Sequence, residues 1–310
     1  MRILLLGGTG FIGRHLISHL GRLGHELVVL SRRSRPEMEQ QNVSVLIGDP
    51  LQPGPWQEEA SGCQAIINLV GRNIMARWTA AVKKEIRESR LQSTRMAVQA
   101  VEKAGLNMAS EDKPVLINAN AVGYYPFSES ENQVFDETGP AGDHFLARVC
   151  ADWQEEAIRA TSLGARIVVA RFAPVLAAGE GMLQLILPVF RKGIGGRISS
   201  GRQPFPWVHI QDLVRALELA VNDTSIQGPM NVCSPHIITN AQFTQALAQA
   251  VNRPAVLPVP EFALRLRFGE LASMLSKGQA VKPAVLLSRD FTFIYADITQ
   301  ALQEIVSKNQ

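Results

Sequence analysis

The chain has 310 residues, of which 46% are hydrophobic and 19% charged, a balance that fits a globular protein with a substantial core and excludes disordered, collagen-like and coiled-coil chains. Its 31 basic and 28 acidic side chains leave a formal net charge of +3, which allows small anions to bind but gives no reason to expect nucleic acid as a partner. Cys63, Cys150 and Cys233 are odd in number and widely spaced, so neither a disulfide framework nor a metal or redox CxxC site is expected, and a reduced, cytoplasmic setting fits best.

The first apolar run, Ile3 to Leu6, is too short for a signal-peptide core and meets glycines at once. Later apolar stretches are interrupted by charges such as Arg171 and Glu180, so no membrane association is expected. Ile3 to Leu6, Leu27 to Leu30, Val43 to Ile47, Ala65 to Val70, Val115 to Ala119 and Ile167 to Arg171 read as six buried strands. Between them lie segments with helical spacing, for example Ile12, Leu16, Leu20 and Leu23, or Met96, Val98, Val101 and Ala104 closed by Gly105. This alternation predicts an α/β fold with a doubly wound parallel sheet covered on both faces. Past Arg171 the chain becomes rich in Gly and Pro, with helices near Ile210 to Val221 and Asn240 to Val251. Pro254, Pro258 and Pro260 precede a further helix, and an aromatic strand from Phe291 to Tyr295 is expected before the last one.

Gly7-Gly8-Thr9-Gly10-Phe11-Ile12-Gly13 follows the first strand and opens the first helix. Glycine at these positions allows a tight turn, close approach of a pyrophosphate to the backbone and close packing of helix on strand, while the helix N-terminus favours the anion. The loop therefore predicts dinucleotide binding. At the end of the second strand an NAD-binding chain would carry Asp or Glu, whereas this one has Ser31-Arg32-Arg33. A guanidinium meets a 2′-phosphate with hydrogen bonds worth about 1.5 to 3 kcal/mol each, so NADP(H) is expected over NAD(H). The alternative is that these arginines form a solvated face. Asp49, closing the third strand, suits either an adenine amine or an exposed turn. Gly71, after Leu69 and Val70, either lets the backbone pass close to a cofactor or is a simple turn glycine.

With Asn68-Leu69-Val70-Gly71, Val122-Gly123-Tyr124-Tyr125 and Pro206-Trp207-Val208-His209-Ile210-Gln211-Asp212 added to the glycine loop, the chain resembles the extended short-chain dehydrogenase/reductases. Arg77-Trp78, Ser89-Arg90, Gly142-Asp143-His144-Phe145-Leu146, Val149-Cys150-Ala151-Asp152-Trp153, Ser200-Gly201-Arg202-Gln203 and Gly278-Gln279 are similar to the branch usually labelled epimerase family protein. The resemblance implies a Rossmann-type sheet of about seven strands carrying NADP(H), with a smaller C-terminal α/β substrate lobe. The division expected is 1–170 for the cofactor domain and 171–310 for the lobe, some of whose segments return to the sheet. It further implies cofactor contacts from Thr9, Phe11, Ile12, Arg90, Asn118, Ala119, Phe172 and Pro174, and substrate contacts from Arg202, Trp207 and His209; the alternatives are a surface-loop arginine for Arg202 and, for His209, a role in positioning its loop before Asp212. A homodimer through Thr79 to Lys103 and His144 to Ser162 is a further possibility of this branch.

Working relatives place a tyrosine and, four residues later, a lysine on one helix, so that the ammonium assists proton transfer by the phenol. The corresponding helix here offers Leu146 and Cys150, or Phe145 and Val149 in the adjacent register. The usual Ser or Thr after the fifth strand is also missing, with Asn118, Asn120 and Ala121 in that stretch. Tyr124, Tyr125 and Asn120 are the remaining candidates for proton transfer, the alternative for the tyrosines being a packed ring with its hydroxyl on a backbone partner. Cys150 is expected to be a buried structural thiol. Two functions stay open: an NADP(H)-dependent oxidoreductase or epimerase-like enzyme acting on a small carbonyl, hydroxyl or nucleotide-sugar-like substrate, or a non-catalytic NADP(H)-binding regulator or scaffold.

Overall fold

The structure is a computed structural model, and it describes residues 1–105, 114–128 and 133–308. In chain order the strands are β1 (Arg2–Leu6), β2 (Glu26–Ser31), β3 (Val43–Ile47), β4 (Ala65–Asn68), β5 (Val115–Ala121), β6 (Val134–Phe135), β7 (Ile167–Phe172), β8 (Val175–Leu176), β9 (Val208–His209), β10 (Gly228–Val232) and β11 (Ala280–Val281). The helices are α1 (Phe11–Arg22), α2 (Ala80–Gly105), α3 (Phe145–Ile158), α4 (Gly181–Arg191), α5 (Ile210–Asn222), α6 (Asn240–Ala250), α7 (Glu261–Phe268), α8 (Leu271–Leu275), α9 (Ala284–Leu287) and α10 (Ile298–Ser307).

Seven parallel strands form the central sheet in the order β10-β7-β5-β4-β1-β2-β3. Alternation along β1 shows why both faces are covered. Ile3 and Leu5 join a core with Leu16, Ile17 and Leu20 of α1 and Leu213 and Leu217 of α5. Leu4 and Leu6 point the other way, onto Met96, Ala97, Ala100 and Val101 of α2. Strand order reverses between β1 and β4, and the crevice at that switch point is where an open α/β sheet receives its ligand. A separate core, with Leu183, Leu187, Phe190, Trp207, Phe243, Leu247, Leu302 and Ile305, holds α4, α6 and α10 together.

Two sequence expectations change. The seventh strand, β10, escapes the apolar pattern because it reads Gly-Pro-Met-Asn-Val, and it is held by its pairing to β7 at the sheet edge. Phe291 to Tyr295 is not a strand. The amides of Ile294 and Tyr295 donate to the Asp212 carboxylate at 2.7 and 2.9 Å, and Arg215 Nη1 donates to the Thr292 carbonyl at 2.7 Å, so side chains take the place of a ladder. Among the described residues no helix is long and apolar enough to cross a membrane.

Gly21, near the end of α1, has open space where a side chain would stand. Gly21→Ala is therefore expected to raise stability by about 0.5–1 kcal/mol, read from urea unfolding; a loss would show a contact not accounted for.

Candidate functional site

A cleft of about 1010 Å³ opens at the carboxyl ends of β1 to β4, between Gly7, Thr9 and Gly10 on one side and α2 on the other. Its floor is set by the glycine loop. Gly7 has φ +82°, and a Cβ there would lie 2.9 Å from the Leu69 carbonyl carbon, so the loop must be glycine to sit against the end of β4. Gly10 is the N-cap of α1 but lends no side chain, and the first turn carries no acid, leaving its backbone N–H groups available to an anion. Arg14 braces the loop by donating from Nη1 to the Thr9 carbonyl at 3.0 Å, while its Nη2 pairs with Glu180 at 2.8 Å.

Ser31 ends β2 and turns the chain by donating its hydroxyl to the Arg33 carbonyl at 2.7 Å. This directs Arg32 onto the cleft wall, exposed and without a carboxylate partner among the described residues. Arg33 lies outside the lining. Asp49 belongs to the wall and also caps its own turn, accepting the Leu51 amide at 2.9 Å. Leu69, Val70 and Gly71 complete that side. The groups above present a row of donors and a cation to one end of the cleft, which suits a dinucleotide carrying phosphates.

The other half of the edge is pinned by a buried polar network. Asn68 Nδ2 donates to Asn118 Oδ1 at 2.8 Å and to Thr94 Oγ1 at 3.2 Å, and Trp153 Nε1 donates to Thr94 Oγ1 at 2.7 Å. Asn68 Oδ1 takes the Val70 amide at 3.1 Å, which is why β4 stops at Asn68 short of the expected Val70. Asn120 donates from Nδ2 to the Cys150 carbonyl and accepts the Ala121 amide. The Asn118 and Asn120 side chains thus hold the edge together from inside, which corrects their assignment to cofactor contact and proton transfer. Ala119 and Phe172 are likewise buried in the sheet core. Phe11 turns its ring to His15 and Gly181, Ile12 packs on the core, and Gly13 is buried beneath the loop. Pro174 is exposed, and its carbonyl accepts the Val208 amide at 3.1 Å.

The two tyrosines separate sharply. Tyr125 is fully buried, donates its hydroxyl to Asn231 Oδ1 and accepts from Arg171 Nη1, both at 2.7 Å. Burial pushes its phenol up to about 12, against the opposing pull of the Arg171 guanidinium. Tyr125 is a structural tyrosine, not a proton donor. Tyr124 is half-buried, with the Arg171 guanidinium 3.7 Å from its ring centroid, and its hydroxyl makes no hydrogen bond among the described residues. Burial pushes the Cys150 thiol up to about 11, so it is inert at neutral pH.

Trp207 has no exposed surface and sits in the core of α4, α6 and α10, and so cannot touch a substrate. His209 is also buried. It caps α5 by accepting the Gln211 amide on Nδ1, which leaves its Nε2 proton to donate to Glu304 at 3.2 Å, under the Tyr295 ring. Burial thus takes Trp207 and His209 away from substrate contact, and His209 serves as the cap of α5 ahead of Asp212. Arg202 is exposed after Gly201, which has φ +72°, and forms no ion pair among the described residues.

Burial holds the His209 imidazole below its ordinary value, with Glu304 opposing. The unfolded chain then binds a proton first as pH falls, so stability should decline from about pH 6.5 towards the lower folded value. Urea midpoints at pH 7.5 and 5.5 test this, and His209→Gln should flatten the difference; an unchanged slope would contradict it.

Sequence reasoning missed Arg171 as more than a strand end. A charged residue inside the apolar run Ile167 to Phe172 was the available signal, since Arg is rarely buried unless its donors are used. It also missed Arg72, Arg87 and Arg95, which α2 and the segment before it bring to the cleft and pair with Glu85, Asp152 and Glu156.

The family model for the NAD dependent epimerase/dehydratase family matches residues 3–233. The chain belongs to this family. A second model, a domain of unknown function, matches residues 259–305, spanning α7 to α10. Relatives within the epimerase/dehydratase family include the Bacillus subtilis epimerase family protein YfhF, 34% identical over 99% of this chain and 98% of its own. The Arabidopsis thaliana epimerase family protein SDR39U1 homolog, chloroplastic, is 35% identical over 99% of this chain and 87% of its own. Among solved structures, human epimerase family protein SDR39U1 (isoform2) with NADPH superposes with a TM-score of 0.85 at 32% identity, covering 99% of each chain. A Thermus thermophilus UDP-glucose 4-epimerase complex with NAD shares the fold, with a TM-score of 0.74 at 20% identity over 99% of this chain and 98% of its own.

Proposed function

We propose that this chain binds NADP(H) in the cleft and uses it to oxidise or reduce a small carbonyl or hydroxyl compound. The observation that carries the reading is the uncapped start of α1 beside Arg32, an unpaired cation standing where an NAD-specific site would hold an acid. The human relative, solved with NADPH, supports the same cofactor. The backbone N–H groups of Phe11 and Ile12 take the pyrophosphate, and Arg32 takes the 2′-phosphate. Asp49 and Leu51 border the adenine, while Leu69 to Gly71 carry the dinucleotide towards β5. When bound, NADPH supplies a hydride.

Tyr124 is the phenol left to hold or release a proton, because the hydroxyl of Tyr125 is fully used. Leu146 and Cys150, or Phe145 and Val149 in the adjacent register, stand where the usual Tyr and Lys would, and none of them can do so. That absence favours a second reading, a regulator that binds NADP(H) without turnover. Following NADPH fluorescence over a panel of carbonyl metabolites and nucleotide sugars separates the two. Oxidation above the protein-free rate by one class of compound supports the enzyme, and binding with no oxidation across the panel favours the regulator.

Arg32→Ala should weaken NADPH about tenfold to a hundredfold while leaving NADH within about twofold, since only the 2′-phosphate is lost as a partner. Equal weakening of both by calorimetry would count against this site.

A further inference from the structure

A pocket of about 500 Å³ shares none of the cofactor cleft's lining residues. Trp78, Phe127, His144, Phe145 and Met274 give it mostly apolar walls, drawn from the segment before α2, the loop leading to α3, α3 itself and α8. The rings hold one another in place: Trp78 meets Phe145 edge to face at 5.1 Å between centroids, and His144 stacks on Phe127 at 4.3 Å. α3 is the crossover between the parallel neighbours β5 and β7, so it starts at the carboxyl edge of the sheet, the same edge as the cofactor cleft. One residue further, Leu146 packs on the same apolar cluster as Trp78, and a Cβ built on Gly123, next to Tyr124, would stand 3.7 Å from Leu146 Cβ.

The polar atoms of this wall are already engaged inside the protein. Trp78 Nε1 donates to the Ile74 carbonyl at 2.9 Å, and Ser273 Oγ donates to the Glu270 carbonyl at 2.8 Å. His144 accepts the Ala147 amide on Nδ1 at 3.2 Å, which leaves its Nε2 proton to the Tyr125 carbonyl at 3.2 Å, and burial holds the imidazole below its ordinary value. At the rim the Glu270 carboxylate pairs with Lys83 at 2.6 Å and Arg265 pairs with Glu261 at 2.8 Å. Lys277 is different. Its exposed Nζ stands 5.1 Å over the Phe127 ring, and no carboxylate pairs with it among the described residues. Sugar hydroxyls would find few partners on such a wall, and burying them without partners costs free energy, whereas a flat ring gains contact with it.

We propose that this pocket receives a planar aromatic carboxylate, its ring against Trp78, Phe127 and Phe145 and its carboxylate on Lys277, and that this class of compound, not a nucleotide sugar, is what the NADP(H) site serves. The apolar wall sets the ligand's shape, and the rim cation sets its charge. The link to a reaction rests on the NADP(H) reading above, while the ligand's chemistry rests on the pocket alone.

The test compares three probes by NMR titration. 2-Naphthoate carries ring and charge, 2-naphthylmethanol carries the ring alone, and UDP-glucose stands for the nucleotide sugars. 2-Naphthoate should bind about threefold to fivefold more tightly than the alcohol, and Lys277→Gln, a change at an exposed side chain, should erase that difference. Phe127→Leu should weaken both naphthalenes by about threefold through loss of the flat wall. Affinity for 2-naphthoate should be no weaker in saturating NADPH than without it. Equal affinity for the two naphthalenes in the unaltered protein, a preference for 2-naphthoate that survives Lys277→Gln, tighter binding of UDP-glucose than of 2-naphthoate, or displacement of 2-naphthoate by NADPH would each overturn the proposal. Saturable 2-naphthoate binding with no binding of NADPH would remove the cofactor reading, and with it the link to a reaction, while the ligand site stands. NADPH binding with no binding of 2-naphthoate would overturn the pocket and leave the cofactor reading intact.

Discussion

Gly13→Ala is expected to weaken NADPH binding at least about a hundredfold. A Cβ at Gly13 would lie 2.5 Å from the Gly7 carbonyl oxygen and from the Cα and carbonyl oxygen of Gly8. All three are backbone atoms, with no flexible side-chain end to move aside. Either the loop or α1 has to shift. The Gly10 amide is tied to the Gly7 carbonyl at 3.0 Å and the Arg14 amide to the Gly10 carbonyl at 3.0 Å, so displacing one moves the N–H groups that would receive the pyrophosphate. Overpacking of this kind should also cost about 1–3 kcal/mol of stability. Gly21→Ala, the same change in the same helix, is the internal comparison, because it meets open space. Fluorescence titration with NADPH and urea unfolding of both variants check the pair; near-normal binding by Gly13→Ala would show that the loop does not hold the cofactor.

The second large effect lies on the far side of the sheet. Glu137→Ala should destabilise the protein by about 2–4 kcal/mol, because hydrogen bonds to a charged acceptor are among the strong ones and their loss leaves enclosed N–H groups unmet. Glu137 Oε1 accepts the amides of Asn231 at 3.0 Å and Val285 at 3.1 Å, and Oε2 accepts the amide of Ala284 at 3.1 Å. One carboxylate therefore joins the edge strand β10 to the start of α9. Around it, Asn231 Nδ2 donates to the Lys282 carbonyl at 3.0 Å and Arg171 Nη2 donates to Gln154 at 2.7 Å. The same cluster uses up the hydroxyl of Tyr125. Glu137→Gln, which keeps the shape and one acceptor oxygen but loses the charge and turns the other acceptor into a donor, should fall between the parent and Glu137→Ala. Urea unfolding measures all three, and a change below about 1 kcal/mol for Glu137→Ala would mean that this junction is not a principal tie.

The glycine loop and the first six strands were legible because both depend on local chemistry. Close approach requires glycine, and strands buried on both faces require continuous apolar runs such as Leu27 to Leu30. Ser31-Arg32 was legible for a related reason: the residue at that strand end faces the cleft whatever the rest of the fold does. What could not be read depended on distant partners. β10 has little strand character of its own and exists through β7. Phe291 to Tyr295 looks like a strand until Asp212, some eighty residues earlier, takes its amides. Tyr124 and Tyr125 are adjacent and identical in the sequence, yet only the position of Arg171 and Asn231 decides which hydroxyl is committed. Likewise Trp207 and His209 stand in the segment that carries the family resemblance, while packing against α10 buries both.

Titrating the unaltered protein with NADPH and with NADH, following nucleotide fluorescence at one ionic strength, tests the central claim most directly. Saturable binding of both is expected, with NADPH tighter by about tenfold to a hundredfold through the 2′-phosphate at Arg32. Equal affinity, a preference for NADH, or no binding of either would contradict it.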